Sequence, residues 1–356
     1  MQSTSKTMRV LVTGGGGFLG LHIVEQLRNQ GHTVRVLCRK HYPAVAATGS
    51  QLIQGDIRDP QLVLSACDGV DAVFHTAAVP GIWGPRSHYL SINYQGTLNV
   101  LKACQTYKVA RLIHTSSPSV VFDGSDHLNA DESTPYPKRW LCHYPFSKAL
   151  AEQAVLNASG QHGLLTCALR PHLIWGPRDN HLIPKLLHAA SHGRLRQVGA
   201  GQNLVSVSYV ENAAAAHLAA EAALRTTGKP AGQAYFINEP APVNLWNWIN
   251  LLLNRAGLPA VERRISARAA WAAGTTLEAL WTLLRLKSDP PMTRFVAAQL
   301  AGSHAYSIAA AIRDFGYCPH VTMDEGLNRL QPDLDRIASQ LRNKKPAAQA
   351  AGGTIP

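Results

Sequence analysis

The sequence predicts an α/β fold built on a doubly wound parallel sheet with a smaller, mainly helical C-terminal lobe. Three observations carry this: short β-branched runs alternate with helical patterns in the first half, a glycine-rich turn follows the first run, and the alternation loosens after about residue 170. Arg9–Thr13, Thr33–Cys38, Ala72–His75 and Arg111–Thr115 read as strands, and Leu19–Asn29 and Asn93–Tyr107 as helices. Gly31 stands where a helix-terminating glycine belongs, and Asp59–Pro60 opens a short helix through Cys67. Pro171, Pro177 and Pro184 then break the chain, and helical patterning resumes over 244–257 and 267–287. The expected organisation is a sheet domain over 8–170, a lobe over 171–335 with segments returning to the sheet, and a flexible tail over 336–356.

Composition bounds the function. At 356 residues, 46% hydrophobic and 16% charged, the chain can bury a sizeable core. Its net charge of +12 favours an anionic ligand or surface. The basic residues are scattered and match no nucleic-acid-binding motif, so no nucleic-acid partner is expected. Six cysteines without a CxxC pair suggest neither zinc nor a redox dithiol, and fit small core residues in a reducing compartment. The start carries no secretion-type apolar run and Trp271–Leu286 is interrupted by polar residues, so a cytoplasmic location is expected.

Gly14, Gly17 and Gly20 follow the MRVLV strand and open an amphipathic helix, the context in which such a loop binds a dinucleotide. Gly14 allows the turn, Gly17 the approach of a pyrophosphate and Gly20 close packing of the helix, whose N-terminus attracts phosphate. This is the Rossmann arrangement. The second strand ends in Cys38, Arg39 and Lys40, without the acid that would hold a ribose 2′-hydroxyl, so a 2′-phosphate and hence NADP(H) suits it better. Asp56 is a candidate for the adenine edge, or a helix-entry residue.

Tyr144 and Lys148 lie four apart at the start of a helical stretch and so share one face. An ammonium near the phenol is expected to lower its pKa and fit it for proton exchange with a carbonyl or alcohol. Thr115-Ser116-Ser117 ends a strand at the ligand-binding edge of the sheet, and Ser117, with Ser116 as the alternative, is the candidate oxyanion donor. Trp83 and Trp175, in loops after strands, are candidate pocket walls, and Arg178 is a candidate partner for a substrate carboxylate. His188 and His192 lack a supporting carboxylate pattern, so no metal is expected. The stretch 267–287 has an apolar face through Trp271, Leu277, Leu280, Trp281 and Leu284 with basic flanks, and reads as a pocket lid or partner face, with membrane-surface contact open as a second use.

Together these residues resemble the extended short-chain dehydrogenase/reductase superfamily and its 3β-hydroxysteroid dehydrogenase-like branch. Within it the chain is similar to the bacterial 2-alkyl-3-oxoalkanoate reductases of long-chain olefin biosynthesis. His41–Ala44, Pro118–Val120, Leu169–Pro177, Gly193–Arg196, Thr293–Phe295 and Asp314–Tyr317 carry that closer likeness. The resemblance implies reduction of the 3-keto group of 2-alkyl-3-oxoalkanoic acids by NADPH, with Tyr144 as proton donor, Lys148 orienting the ribose and Ser117 polarising the carbonyl. It implies a cofactor set of Gly14, Gly17, Phe18, Leu19, Gly20, Arg39, Lys40, Asp56, Ile57, Ala77, Tyr144, Lys148 and Pro171, with His172 beside the nicotinamide. Beyond the long-chain ketoacid substrate, an assembly with olefin-pathway enzymes and a homodimer are open as partners. A hydroxysteroid or sterol dehydrogenase, a sugar-nucleotide epimerase or dehydratase, and a non-catalytic NADP sensor are the competing readings; the presence of both Tyr144 and Lys148 argues against the last.

Overall fold

The computed structural model describes residues 7–343. Its centre is a seven-stranded, wholly parallel sheet: β1 (Arg9–Thr13), β2 (Thr33–Cys38), β3 (Gln51–Gln54), β4 (Ala72–His75), β5 (Arg111–Thr115), β6 (Leu165–Pro171) and β7 (Ala234–Ile237). The spatial order is β7-β6-β5-β4-β1-β2-β3. The order reverses between β1 and β4, which makes that edge the ligand-binding crevice of a doubly wound sheet. Helices cover both faces, so the strands are apolar on both sides: Val10, Leu11 and Val12 are all fully buried.

The helix Phe18–Asn29 follows β1 directly and packs beside Val210–Thr226, a helix from the second half that returns to the same sheet face. The short helix Pro60–Cys67 starts as expected, the Asp59 carboxylate accepting from the amides of Gln61 and Leu62. The expected helix Asn93–Tyr107 is composite, with a π-helical segment Leu90–Gln95 running into an α-helix Gly96–Thr106. Apolar periodicity does not separate those two forms.

The second half builds a lobe with its own core around Trp175, Tyr209, Trp246, Trp248 and Leu253. A four-stranded mixed sheet joins the lobe to the main domain, in the order Val243–Asn244, Leu204–Val205, His304–Tyr306, His127–Ala130. Its last member comes from the first half of the sequence. The expected tail is corrected at its start: the final helix Met323–Asn343 runs through 336–343 and buries Ile337 and Ala338. Residues 344–356 lie outside the described residues. Among the described residues no helix is long and apolar enough to cross a membrane.

Candidate active site

The glycine turn is shaped by close approaches. Gly14 has φ +74, and a Cβ on it would lie 2.8 Å from the Ala77 backbone; a Cβ on Gly20 would lie 2.4 Å from the Gly14 carbonyl oxygen. Gly17 caps the helix in extended conformation, with no side chain bonded to the first amides. The N-terminal N–H groups at Phe18, Leu19 and Gly20 therefore present an uncapped helix end suited to phosphate. Beside the turn lies a cavity of about 150 Å³ lined by Gly14, Gly17, Arg39, Tyr42, Asp56, Ile57, Thr76 and Ala77, among others. These residues fit a nicotinamide dinucleotide: backbone where a side chain would collide, an uncapped helix end and a cation at the second strand.

Arg39 and Lys40 stand exposed at the end of β2. Cys38, where an acid would select a free ribose, is buried and donates its thiol to the Lys40 carbonyl at 3.2 Å. Asp56 is chelated by Arg58, the guanidinium donating to both carboxylate oxygens at 3.0 and 2.8 Å. Those bonds, with the charges of Arg58 and Arg39, hold the Asp56 carboxyl below its ordinary range. Arg58 was not singled out in the sequence, and Tyr42 only within the His41–Ala44 segment, not as a cofactor contact. Tyr42 lays its ring where a Gly16 Cβ would sit, 2.3 Å away, a contact no local pattern announces.

Tyr144 and Lys148 sit on the first turns of the helix His143–Asn157. Ser117 extends the end of β5 toward them, near enough to Tyr144 for its hydroxyl to favour the phenolate, and its Oγ accepts from the Ser119 amide at 3.2 Å. Ser116 is buried, away from that contact. The expected effect of Lys148 on the phenol is not what this arrangement shows. Burial pushes Tyr144 up to about 12, with Ser117 pulling in the opposite direction, so at neutral pH the phenol holds its proton. Lys148 is itself buried, its Nζ donating to the Thr115 carbonyl at 2.6 Å, and desolvation lowers it to about 8 despite the opposing charge of Glu152. Pro171 closes β6 opposite Ile237, and His172 follows it, buried and bonded through Nε2 to His304 Nδ1 at 2.6 Å.

Next to Tyr144 opens a second, larger cavity of about 1160 Å³. Its wall includes Trp83, Tyr89, Trp140, Cys142, His143 and Trp281. Tyr89, one of these, places its ring 6.5 Å from that of Tyr144. The helix Ala267–Leu283 forms one side through Thr275, Glu278, Ala279 and Trp281. It docks by its small residues: Ala270 and Gly274 are the buried ones, and a Cβ on Gly274 would lie 2.6 Å from the Thr293 backbone. The apolar face is divided, Trp281 lining the cavity while Trp271, Leu280 and Leu284 are exposed. Of this wall, only Trp83 and the helix were singled out beforehand, because the other members come from loops that converge only in three dimensions.

Two expected substrate contacts are corrected. Trp175 is fully buried in the lobe core, its ring 5.1 Å from Tyr209 and 6.1 Å from Trp248. It lies in a two-residue strand, Ile174–Trp175, whose pairing with Ser208–Tyr209 fixes it inward. Trp175→Ala is expected to cost about 3–5 kcal/mol in urea unfolding without altering KM of the folded enzyme. Arg178 points to the helix Phe18–Asn29, where its guanidinium donates to both Glu25 oxygens at 2.7 Å while its amide donates to Asp333 at 2.6 Å. It ties the lobe to the domain, with both terminal nitrogens already engaged by Glu25. His188 and His192 stack at 4.3 Å on an exposed helix end, and no metal-holding group occurs among the described residues.

The model of the 3-beta hydroxysteroid dehydrogenase/isomerase family matches residues 11–266. The chain is 46% identical over 327 residues to a 2-alkyl-3-oxoalkanoate reductase of Stenotrophomonas maltophilia, covering 91% of this chain and 98% of that protein. It is 43% identical over 337 residues to a protein of the same name from Shewanella oneidensis, covering 93% and 87%. A 3 beta-hydroxysteroid dehydrogenase/Delta 5-->4-isomerase of Mycobacterium tuberculosis is 34% identical over 362 residues, covering 99% and 97%. Among solved structures, gox2253 superposes with a TM-score of 0.74 at 24% identity, covering 92% and 99%. The dTDP-glucose 4,6-dehydratase DesIV from Streptomyces venezuelae, with NAD and TYD bound, gives 0.70 at 24%, covering 95% and 98%. At that identity the solved structures speak for the fold alone.

Proposed function

The chain belongs to the 3-beta hydroxysteroid dehydrogenase/isomerase family of oxidoreductases, and from that premise we propose that it reduces the 3-keto group of long-chain 2-alkyl-3-oxoalkanoic acids to a hydroxyl with NADPH. The observation that carries the reading is the placement of a protonated phenol, Tyr144, beside an apolar cavity of about 1160 Å³. A ketone flanked by two alkyl chains needs such a volume, and its reduction needs an acid rather than a phenolate. The relatives named for this reaction support the substrate class. The 3-hydroxy acid formed would feed β-lactone formation and olefin release by partner enzymes.

A bound nicotinamide supplies the hydride to the carbonyl carbon. The chain supplies the rest. Ser117 and Tyr144 direct their hydroxyls at the carbonyl oxygen, and Tyr144 passes its Oη proton to the oxygen as negative charge grows there. Lys148, from beneath, offers its remaining ammonium proton to the ribose, and the phenolate left on Tyr144 is reprotonated from solvent. With Lys148 lowered to about 8, kcat/KM for ketone reduction is expected to hold up to that pH and to fall as pH rises through it, because the cation is lost. A pH profile on purified enzyme checks this.

The choice of NADPH rests on Arg39 at the cavity rim and on the absence of an acid at position 38. Arg39→Ala is expected to weaken NADPH by about 10- to 100-fold while leaving NADH nearly unchanged, measured by titration of nicotinamide fluorescence. Equal weakening of both would remove the 2′-phosphate assignment. The function as a whole is tested by following NADPH absorbance with a synthetic 2-alkyl-3-ketoacid. No oxidation there, combined with turnover of a hydroxysteroid on NADP+, would transfer the protein to a sterol-type reaction.

A further inference from the structure

Beneath Lys148 lies a residue that the mechanism above does not use. His114, on β5, is fully buried, and its Nε2 stands 3.2 Å from the Lys148 Nζ. An ammonium can only donate, so this ring nitrogen presents its lone pair and the imidazole proton sits on Nδ1. That Nδ1 is buried with no partner. An unpartnered buried donor is a cost that packing alone would have removed, since a phenyl ring fills the same space. Among the described residues no carboxylate forms an ion pair with Lys148, so the Thr115 carbonyl and the His114 lone pair are its two fixed acceptors.

We propose that His114 is a positioning residue for the active site: by accepting a hydrogen bond from Lys148 at Nε2 it fixes the direction of the ammonium and keeps its proton in place, leaving the third N–H for the ligand. This rests on the role assigned to Lys148 above. The surroundings keep the imidazole neutral, as the task requires. Burial comes first, followed by the charge of Lys148 and the neighbouring His75 and His217, all of which disfavour a protonated His114. His75, whose ring centroid is 5.1 Å away, is held by Thr13 and Thr97; His217 is held by Thr115 Oγ1 and the Ala213 carbonyl. The remaining charged neighbour is Glu152, which is paired with Arg170 and favours the ammonium from the far side.

A hydrogen bond to the charged form raises the pKa of a base. His114→Phe, which keeps the ring and removes the acceptor, is expected to move the basic limb of the kcat/KM profile to lower pH by about one unit, and so to leave about a tenth of the variant's own plateau at pH 8, where the wild type keeps about half of its own. His114→Gln, whose amide oxygen can accept, is expected to restore most of the shift. A folded Phe variant with an unmoved limb overturns the proposal, because a purely structural histidine would lower the melting temperature and leave the limb in place. A second measurement needs no substitution: in ¹⁵N-labelled wild-type protein at neutral pH, long-range ¹H–¹⁵N correlation is expected to show His114 as the Nδ1–H tautomer. The Nε2–H tautomer overturns the proposal even if the Phe variant does not fold. Failure of the wild type to reduce any 2-alkyl-3-ketoacid would strike the substrate reading alone, and the tautomer would then decide on His114.

Discussion

Tyr144→Phe is expected to lower the rate of ketone reduction by about 10²- to 10⁴-fold while leaving the dissociation constant for NADPH unchanged. The substitution removes one oxygen and keeps the ring that faces Tyr89 across the edge of the large cavity. Because burial holds the phenol near 12, the wild type keeps its acid loaded across the whole physiological range. Loss of rate in the variant would therefore be uniform in pH up to the Lys148 limb. Stopped-flow measurement of NADPH oxidation in a single turnover, beside equilibrium cofactor binding, separates the two effects. A variant that lost cofactor binding instead would show Tyr144 to be a support of the crevice rather than its acid.

A large effect on stability is expected at Glu152, one turn beyond Lys148. Its carboxylate is fully buried and accepts from Arg170 at 2.6 and 2.9 Å and from the Tyr136 hydroxyl at 2.6 Å. Burial alone would raise this carboxyl, but the charge and hydrogen bonds of Arg170 outweigh it and hold the group below the ordinary glutamate range. The contribution is thus present above that range and is lost as pH falls through the lowered value. Glu152→Gln leaves the buried Arg170 guanidinium, which stacks over Phe236 at 5.2 Å, without its counter-charge. A loss of about 3–5 kcal/mol is expected in chemical denaturation. Replacing Arg170 by Met in the same chain is expected to return much of that loss, since no stranded charge then remains.

The strands of the main sheet were legible because a parallel sheet buried on both faces writes itself as short β-branched runs. β1, β2, β4 and β5 stand where those runs lie. The glycine turn was legible for a similar reason, since its backbone constraints are local. What the sequence concealed depends on distant partners. Trp175 and Trp83 both come soon after strands of the main sheet, yet Trp175 is turned into the lobe core by pairing with Ser208–Tyr209, whereas Trp83 stays in an unpaired loop at the cavity. Arg178 meets Glu25 across 153 positions, and no local pattern foretells that pairing. The Tyr144–Lys148 spacing announced a shared helix face, but not that the ammonium would be turned down onto Thr115 and His114.

The strand His127–Ala130 crosses from the first half of the chain to pair with His304–Tyr306 in the second. It follows shortly after the Ser117–Val120 turn, so the hydroxyl that faces Tyr144 is anchored at one end to the central sheet and at the other to the lobe. For protein engineering this makes the lobe a poor cassette. A chimaera joined near residue 171 would import a foreign partner for that strand and misplace Ser117, whereas an exchange that carries residues 117–130 along with the lobe keeps the two ends matched.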